Sequence, residues 1–147
     1  VILLAKRGTL AVAAVLDVAL HARPEPVAAK ALAQRLGLPP RHLEPLLQVL
    51  VRGGILRGVR GPKGGYELAR ERRRISVAAI LRASLQEPDE LPQPMPPLVE
   101  CVVVPLAADI SAKVLDGFEV VTVDDLCAKA MSLTAIGDRN EPTDFTI

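Results

Sequence analysis

Between Leu56 and Arg70 the chain reads Leu-Arg-Gly-Val-Arg-Gly-Pro-Lys-Gly-Gly-Tyr-Glu-Leu-Ala-Arg, and few local structures accommodate such a stretch. Two short runs, Leu56 to Arg60 and Tyr66 to Arg70, flank Gly61, Pro62, Lys63, Gly64 and Gly65. Proline presets φ at an early turn position and the paired glycines supply φ > 0 at little steric cost, so the segment is predicted to be a β-hairpin. Its tip and approach carry Arg57, Arg60 and Lys63 with little bulk around them. A thin basic hairpin can enter a groove and bring backbone N–H groups close to phosphates. Taken alone, the same stretch also reads as a surface hairpin with solvated charges. Its neighbours decide.

Directly before it, Leu43, Leu46, Leu47, Leu50 and Val51 fall on one helical stripe, with Arg41, Glu44, Gln48 and Arg52 on the other face. Gly53-Gly54 is expected to stop that helix. Earlier still, Val27 to Leu36 is predicted to be a helix with Ala28, Leu32 and Leu36 on one face. Gly37-Leu38-Pro39 joins the two as a three-residue turn. Helix, short turn, helix and basic hairpin is the layout of a winged helix-turn-helix. One residue is awkward: Pro45 falls about a turn into the second of these helices, where proline costs on the order of 3 kcal/mol. That helix is therefore expected to begin near Arg41 or His42, or to have an irregular first turn.

Charge sharpens the reading. The formal net charge is only +1, but Arg23 to Arg74 holds 12 Lys+Arg against 4 Asp+Glu, whereas Glu87 to Ile147 holds 3 against 12. A basic front and an acidic rear point to a nucleic-acid surface on the first part and another role for the second. Only three of the 147 residues are aromatic, so the core must be aliphatic. Two distant cysteines, Cys101 and Cys127, make neither a disulfide framework nor a zinc site, which fits a reducing cytoplasm. Lys6-Arg7 before the apolar run Thr9 to Ala22 imitates a secretory signal, but Asp17 interrupts the run, which is also too short to span a membrane. No membrane association is expected. Histidines at 21 and 42 only, and no clustered carboxylates, leave no nucleophile–base pair or metal set, so no enzyme is expected.

The remaining elements follow from local patterns. Thr9 to His21 is predicted to be a helix inside a bundle, with Asp17 capped or paired. Arg23-Pro24-Glu25-Pro26 is a stiff connection. Arg72-Arg73-Arg74 reads either as a DNA-backbone contact or as a solvated run. Ser76 is expected to cap a helix to about Leu85, with Ile75 and Ile80 as a hydrophobic staple. Residues 88–97 hold five prolines and read as an extended linker, closing a first domain at 1–87. Leu98 to Leu115 is apolar on almost every face and asks for a subunit partner, with Leu98, Val102, Leu106, Ile110 and Val114 as candidate pairing residues. Val102-Val103-Val104 and Pro105 leave open a strand or a kinked helix at its start, and Gly117 is expected to mark its end. Thr122 and Asp125 resemble a capping box for a short helix ending near Met131, so 98–131 forms a second unit. Residues 132–147 are expected to be a mobile tail.

These residues resemble the Rrf-type family of bacterial transcriptional regulators, which includes IscR, NsrR and CymR. Val59-Arg60-Gly61-Pro62-Lys63-Gly64-Gly65-Tyr66 is close to that family's wing signature, supported by His42-Leu43-Glu44, Leu16-Asp17-Val18-Ala19, Ile75-Ser76-Val77 and Val121 to Leu126. The resemblance implies a mainly α fold with a small β-hairpin wing and a long helix that pairs two subunits. It places Glu44 against a base edge, where a carboxylate suits the cytosine amino group. Arg60 would reach the minor groove, and Arg41 and His42 would lie over the major groove. The candidate DNA-contacting set is Pro40, Arg41, His42, Glu44, Gln48, Arg52, Arg57, Arg60, Gly61, Lys63, Gly64 and Gly65. Relatives that hold an iron–sulfur cluster place three closely spaced cysteines before the long helix; here that region offers only Cys101, so no cofactor is expected. Cys101 and Cys127 stand as buried apolar residues or as redox-sensing thiols. The expected function is a sequence-specific regulator, a repressor, binding double-stranded DNA as a homodimer on a palindromic operator. A winged-helix module for protein contact is the second reading. A small ligand between the wing domain and the long helix, thiol oxidation and a protein partner all remain open as the signal.

Overall fold

The computed structural model describes residues 6–85 and 94–139, with side chains described as far as residue 135. In chain order these form α1 (Lys6–His21), α2 (Ala29–Leu36), α3 (Pro40–Arg52), β1 (Leu56–Val59), β2 (Gly65–Leu68), a 3₁₀ turn (Arg72–Arg74), α4 (Val77–Ser84), a π-helical turn (Val99–Val103), α5 (Val104–Glu119) and α6 (Val123–Arg139). The mainly helical winged layout is the expected one. No helix among the described residues is long and apolar enough to cross a membrane.

α1 is the hub. Small residues Ala11 and Ala14 with Val15 and Val18 are fully buried, and they let α2, α3, α4 and α6 approach closely. The core closes over them with Leu32, Leu43, Leu47, Leu50, Ile55, Leu56, Ile75 and Ile80, all aliphatic. Val123 and Cys127 bring α6 into the same core. Asp17, on the hub's edge, is held by Arg35 in a fork: Nε donates to Oδ2 at 2.9 Å and Nη2 to Oδ1 at 2.7 Å. This pairing raises the guanidinium pKa above its already high ordinary value, the hydrogen bond to Asp17 being the main cause. The expected pairing of Asp17 is thus present, and it ties α1 to α2.

The hairpin pairs Leu56 with Leu68, Arg57 with Glu67, Gly58 with Tyr66 and Val59 with Gly65. Val27, expected to open α2, instead lies beside β2, exchanging two 2.8 Å backbone hydrogen bonds with Tyr66. The backbone of Val27 cannot serve a ladder and a helix at once, so α2 begins at Ala29. α1 is already helical at Lys6, ahead of the expected Thr9.

Both predicted helix caps form. Ala79 N donates to Ser76 Oγ at 3.1 Å, and Ile75 and Ile80 beside it are fully buried. At α6 the box is reciprocal: Asp125 N donates to Thr122 Oγ1 at 3.2 Å and Thr122 N to Asp125 Oδ2 at 2.9 Å. Those bonds hold the Asp125 carboxyl below its ordinary pKa. The two caps lie side by side, because Val77 N donates to Val121 O at 2.8 Å and Val123 N to Ile75 O at 2.9 Å. The segments that open α4 and α6 are therefore clasped together as a two-rung antiparallel bridge.

The second unit departs from expectation in its boundaries. Of the proposed linker, 88–93 lies outside the described residues and 94–96 is irregular. The open choice at Val102-Val103-Val104 resolves to helix, with a widened turn in which Val104 N–H bonds to Val99 O. Pro105 follows directly. It has no N–H to offer the Cys101 carbonyl and its ring crowds the turn below, and a widened turn relieves both. α5 runs through Gly117 to Glu119, and α6 continues to Arg139 rather than ending near Met131, so the expected tail is helical in its first part. Its remainder, 140–147, lies outside the described residues.

Candidate nucleic-acid interface

α3 buries Leu43, Leu46, Leu47, Val49 and Leu50, and that stripe turns the rest of the helix outward. Pro40, Arg41, His42, Glu44, Gln48 and Arg52 are all exposed, so the six candidates on this element share one presented surface. Pro39 precedes the helix without a side-chain cap, leaving the positive end of the helix dipole open to an anion. Pro45 corrects the expected boundary: α3 starts at Pro40 and passes through Pro45 without a break. Pro45 lies on the exposed side, as does Arg41, whose carbonyl loses its donor there. The only trace of irregularity at the start is a tightened bond from His42 N to Pro39 O, 3.0 Å.

In the wing, the predicted basic residues are not equivalent. Arg57 is tied to Glu67, its partner across the ladder, with Nε donating to Oε1 at 2.9 Å. Lys63 Nζ lies 2.9 Å from Glu25 Oε1 on the connection after α1. Arg60 is exposed and has no hydrogen-bond or ion-pair partner among the described residues. Sequence reading missed both carboxylates. Glu67 was findable, since it falls opposite Arg57 in a two-stranded register; Glu25 was not, being 38 residues from Lys63.

The glycines correct another expectation. Gly61, at φ +120°, sits in open space at the tip. Gly64 and Gly65 were expected to supply φ > 0, but within the hairpin the positive φ falls at Gly61 alone. Gly64 N donates to Gly61 O at 2.9 Å. A Cβ on Gly64 would stand 2.3 Å from Val59 O, and one on Gly65 2.3 Å from Val27 O. These two positions need glycine for close backbone packing.

The Arg72-Arg73-Arg74 run divides in the same way. Arg72 Nε lies 2.7 Å and Arg73 Nε 3.5 Å from the two carboxylate oxygens of Asp124, which fastens the turn after the wing to α6. Arg74 remains exposed. Cys127 is buried behind this pair; burial pushes its thiol pKa up, against a smaller lowering by Arg72. Cys101 is exposed on the π-helical turn, so only Cys127 fits the buried-apolar reading. Among the described residues no three His, Cys, Asp or Glu side chains gather where they could hold a metal. The two cysteines of the chain lie on separate elements, Cys101 exposed and Cys127 buried.

An outward-facing polar helix beside a slender basic hairpin defines the class: a winged helix-turn-helix of the kind found in transcriptional regulators. The family model for Rrf2, described as an iron-dependent transcriptional regulator, matches residues 4–129, and the chain belongs to that family. It is a family of regulators, not of enzymes. Over 80 residues the chain is 42% identical to the HTH-type transcriptional regulator IscR of Xenorhabdus nematophila, a match covering 54% of this chain and 49% of that protein. The chain spans about half the length of the curated relatives it matches. Among solved structures, T. potens IscR superposes with a TM-score of 0.67 at 31% identity, over 86% of this chain and 87% of the other. The cysteine regulator CymR of B. subtilis gives 0.63 at 25% identity, over 86% and 96%.

Proposed function

We propose that this chain is a sequence-specific, DNA-binding repressor of the cytoplasm that acts as a homodimer on a palindromic operator and works without an iron–sulfur cluster. The observation that carries the reading is the shared exposure of Arg41, His42, Glu44 and Gln48 on α3 together with that of Arg60 on the wing, which has no partner among the described residues. Glu44 is the base-reading residue, Arg60 the minor-groove contact, and Arg41 and His42 lie over the major groove. Leu98, Val102, Leu106, Ile110 and Val114 form the seam between copies.

A gel-shift series on operator fragments tests this. A dimer neutralising about 6–10 phosphates loses roughly 10³–10⁵-fold in affinity between about 50 and 200 mM salt. Arg60→Ala should weaken binding and Glu44→Ala should relax base preference at one position of each half-site. Salt-insensitive binding, or two variants indistinguishable from the parent, would move the reading to a protein-contact module. Anaerobically purified protein should show no absorption band near the ~400 nm region where iron–sulfur clusters absorb.

A further inference from the structure

At the root of the wing, α1, β2 and α6 leave a cleft of about 400 Å³ between them. Its apolar lining, taken below as the floor, comes from Val18 and Leu20 on α1, Leu68 on β2 and Met131 on α6, and its charged lining, taken as the rim, includes Arg23 and Arg70. We infer that this cleft is a binding site for a small carboxylate with an apolar body.

The charges around the rim select that chemistry. Two of them are already spent: Arg72 is held by Asp124 at 2.7 Å, and Glu67 accepts from Arg57 at 2.9 Å. Arg23 and Arg70 have no hydrogen-bond or ion-pair partner among the described residues, and the only rim carboxylate left is that of Glu71. Two open guanidiniums against one open carboxylate favour an anionic head group, and guanidinium matches a carboxylate in planar, two-pronged geometry. The floor asks for the rest of the molecule. Leu20 is 38% exposed and Met131 53% exposed, apolar surface that an inorganic anion would leave wet. The volume lies in the roughly 300–1,000 Å³ range of small-molecule pockets.

The position gives such a ligand leverage. Leu68 is paired with Leu56 in the hairpin, while Met131 belongs to the helix that Arg72 fastens to the wing domain. An occupant touches the wing root and α6 together, so its affinity and the wing's position are linked in both directions. That coupling to operator binding rests on the function proposed above; the site itself does not.

The test therefore uses the full chain without DNA. Methyl-labelled protein is titrated with hexanoate, hexanol, hexylamine, norleucine and inorganic phosphate, following the Leu20, Leu68 and Met131 signals by NMR. Hexanoate should shift these signals at concentrations roughly tenfold or more below hexanol, hexylamine or phosphate, as expected for a hydrogen-bonded charged head. The double variant Arg23→Gln, Arg70→Gln, at two exposed side chains, should abolish that advantage while leaving the response to hexanol unchanged. Norleucine binding more tightly than hexanoate would also support the site, with Glu71 taking the ammonium group. Hexanoate no better than hexanol, phosphate as good as hexanoate, or a double variant that binds hexanoate like the parent would each overturn the inference. Loss of operator binding would not touch it.

Discussion

Two helices meet opposite fates in this chain, and the more apolar of them, α5, is the one left uncovered. α3 places five apolar side chains in the core and turns its polar face out. α5 buries none of its residues, and Leu106 and Ile110 remain 58% and 49% exposed, with Leu98 and Val102 just ahead of it at 75% and 57%. The winged part satisfies its hydrophobic residues within one copy. The rod behind it does not, and a continuous apolar stripe of that kind calls for a protein partner. Under the proposed pairing, stability and assembly fall to separate stretches of one sequence.

The sharpest way to break this contrast is Leu106→Asp with Ile110→Asp. Forcing charge into an apolar seam should weaken dimerisation roughly hundredfold or more, read by sedimentation over a concentration series. The mutated chain should keep a folded winged part; an unchanged dimer would put the seam elsewhere. Leu47→Ala attacks the other side. A cavity at this fully buried site should cost about 2–5 kcal/mol in urea unfolding. Ser76→Ala, which removes the acceptor for Ala79 N, should cost about 1 kcal/mol by the same assay. Smaller still, Glu25→Gln frees Lys63 from an exposed pair and should raise operator affinity by no more than about fivefold, measured by fluorescence anisotropy. The gentlest probe is pH. Asp125 has a depressed pKa, so its capping contribution is complete above the ordinary aspartate range and is lost as pH falls through the lowered folded value. An NMR titration should show the Asp125 carboxyl titrating low while exchange of the Thr122 and Asp125 amides quickens over the same range.

What could be read from sequence was local. The hairpin, the α3 stripe, the Ser76 cap, the Ile75–Ile80 staple and the Thr122–Asp125 box each depend on residues within a few positions of one another. The misreadings have distant causes. Nothing near Val27 announces that its backbone will pair with Tyr66, and nothing near Gly65 says that the same strand forbids a side chain there. Lys63 and Arg72 look like free cations until Glu25 and Asp124 arrive from other elements. α6 outlasts its apolar pattern because extending a started helix avoids the nucleation cost. At the interface this matters most: three basic wing residues are legible, but which one is unencumbered, Arg60, depends on the fold.

The clasp between residues 75–77 and 121–123 has a bearing on what the regulator can tolerate. It anchors the far end of α5 to the start of α4 by two backbone bonds, and Arg82 reinforces it with a 2.8 Å pair to Glu119. Under the proposed pairing, the two reading heads are bolted to a common axle instead of trailing on strings. Such an assembly has little freedom to follow its target round the double helix. One additional base pair between half-sites swings the second by roughly 35°, a misalignment that a rigid mount has to refuse.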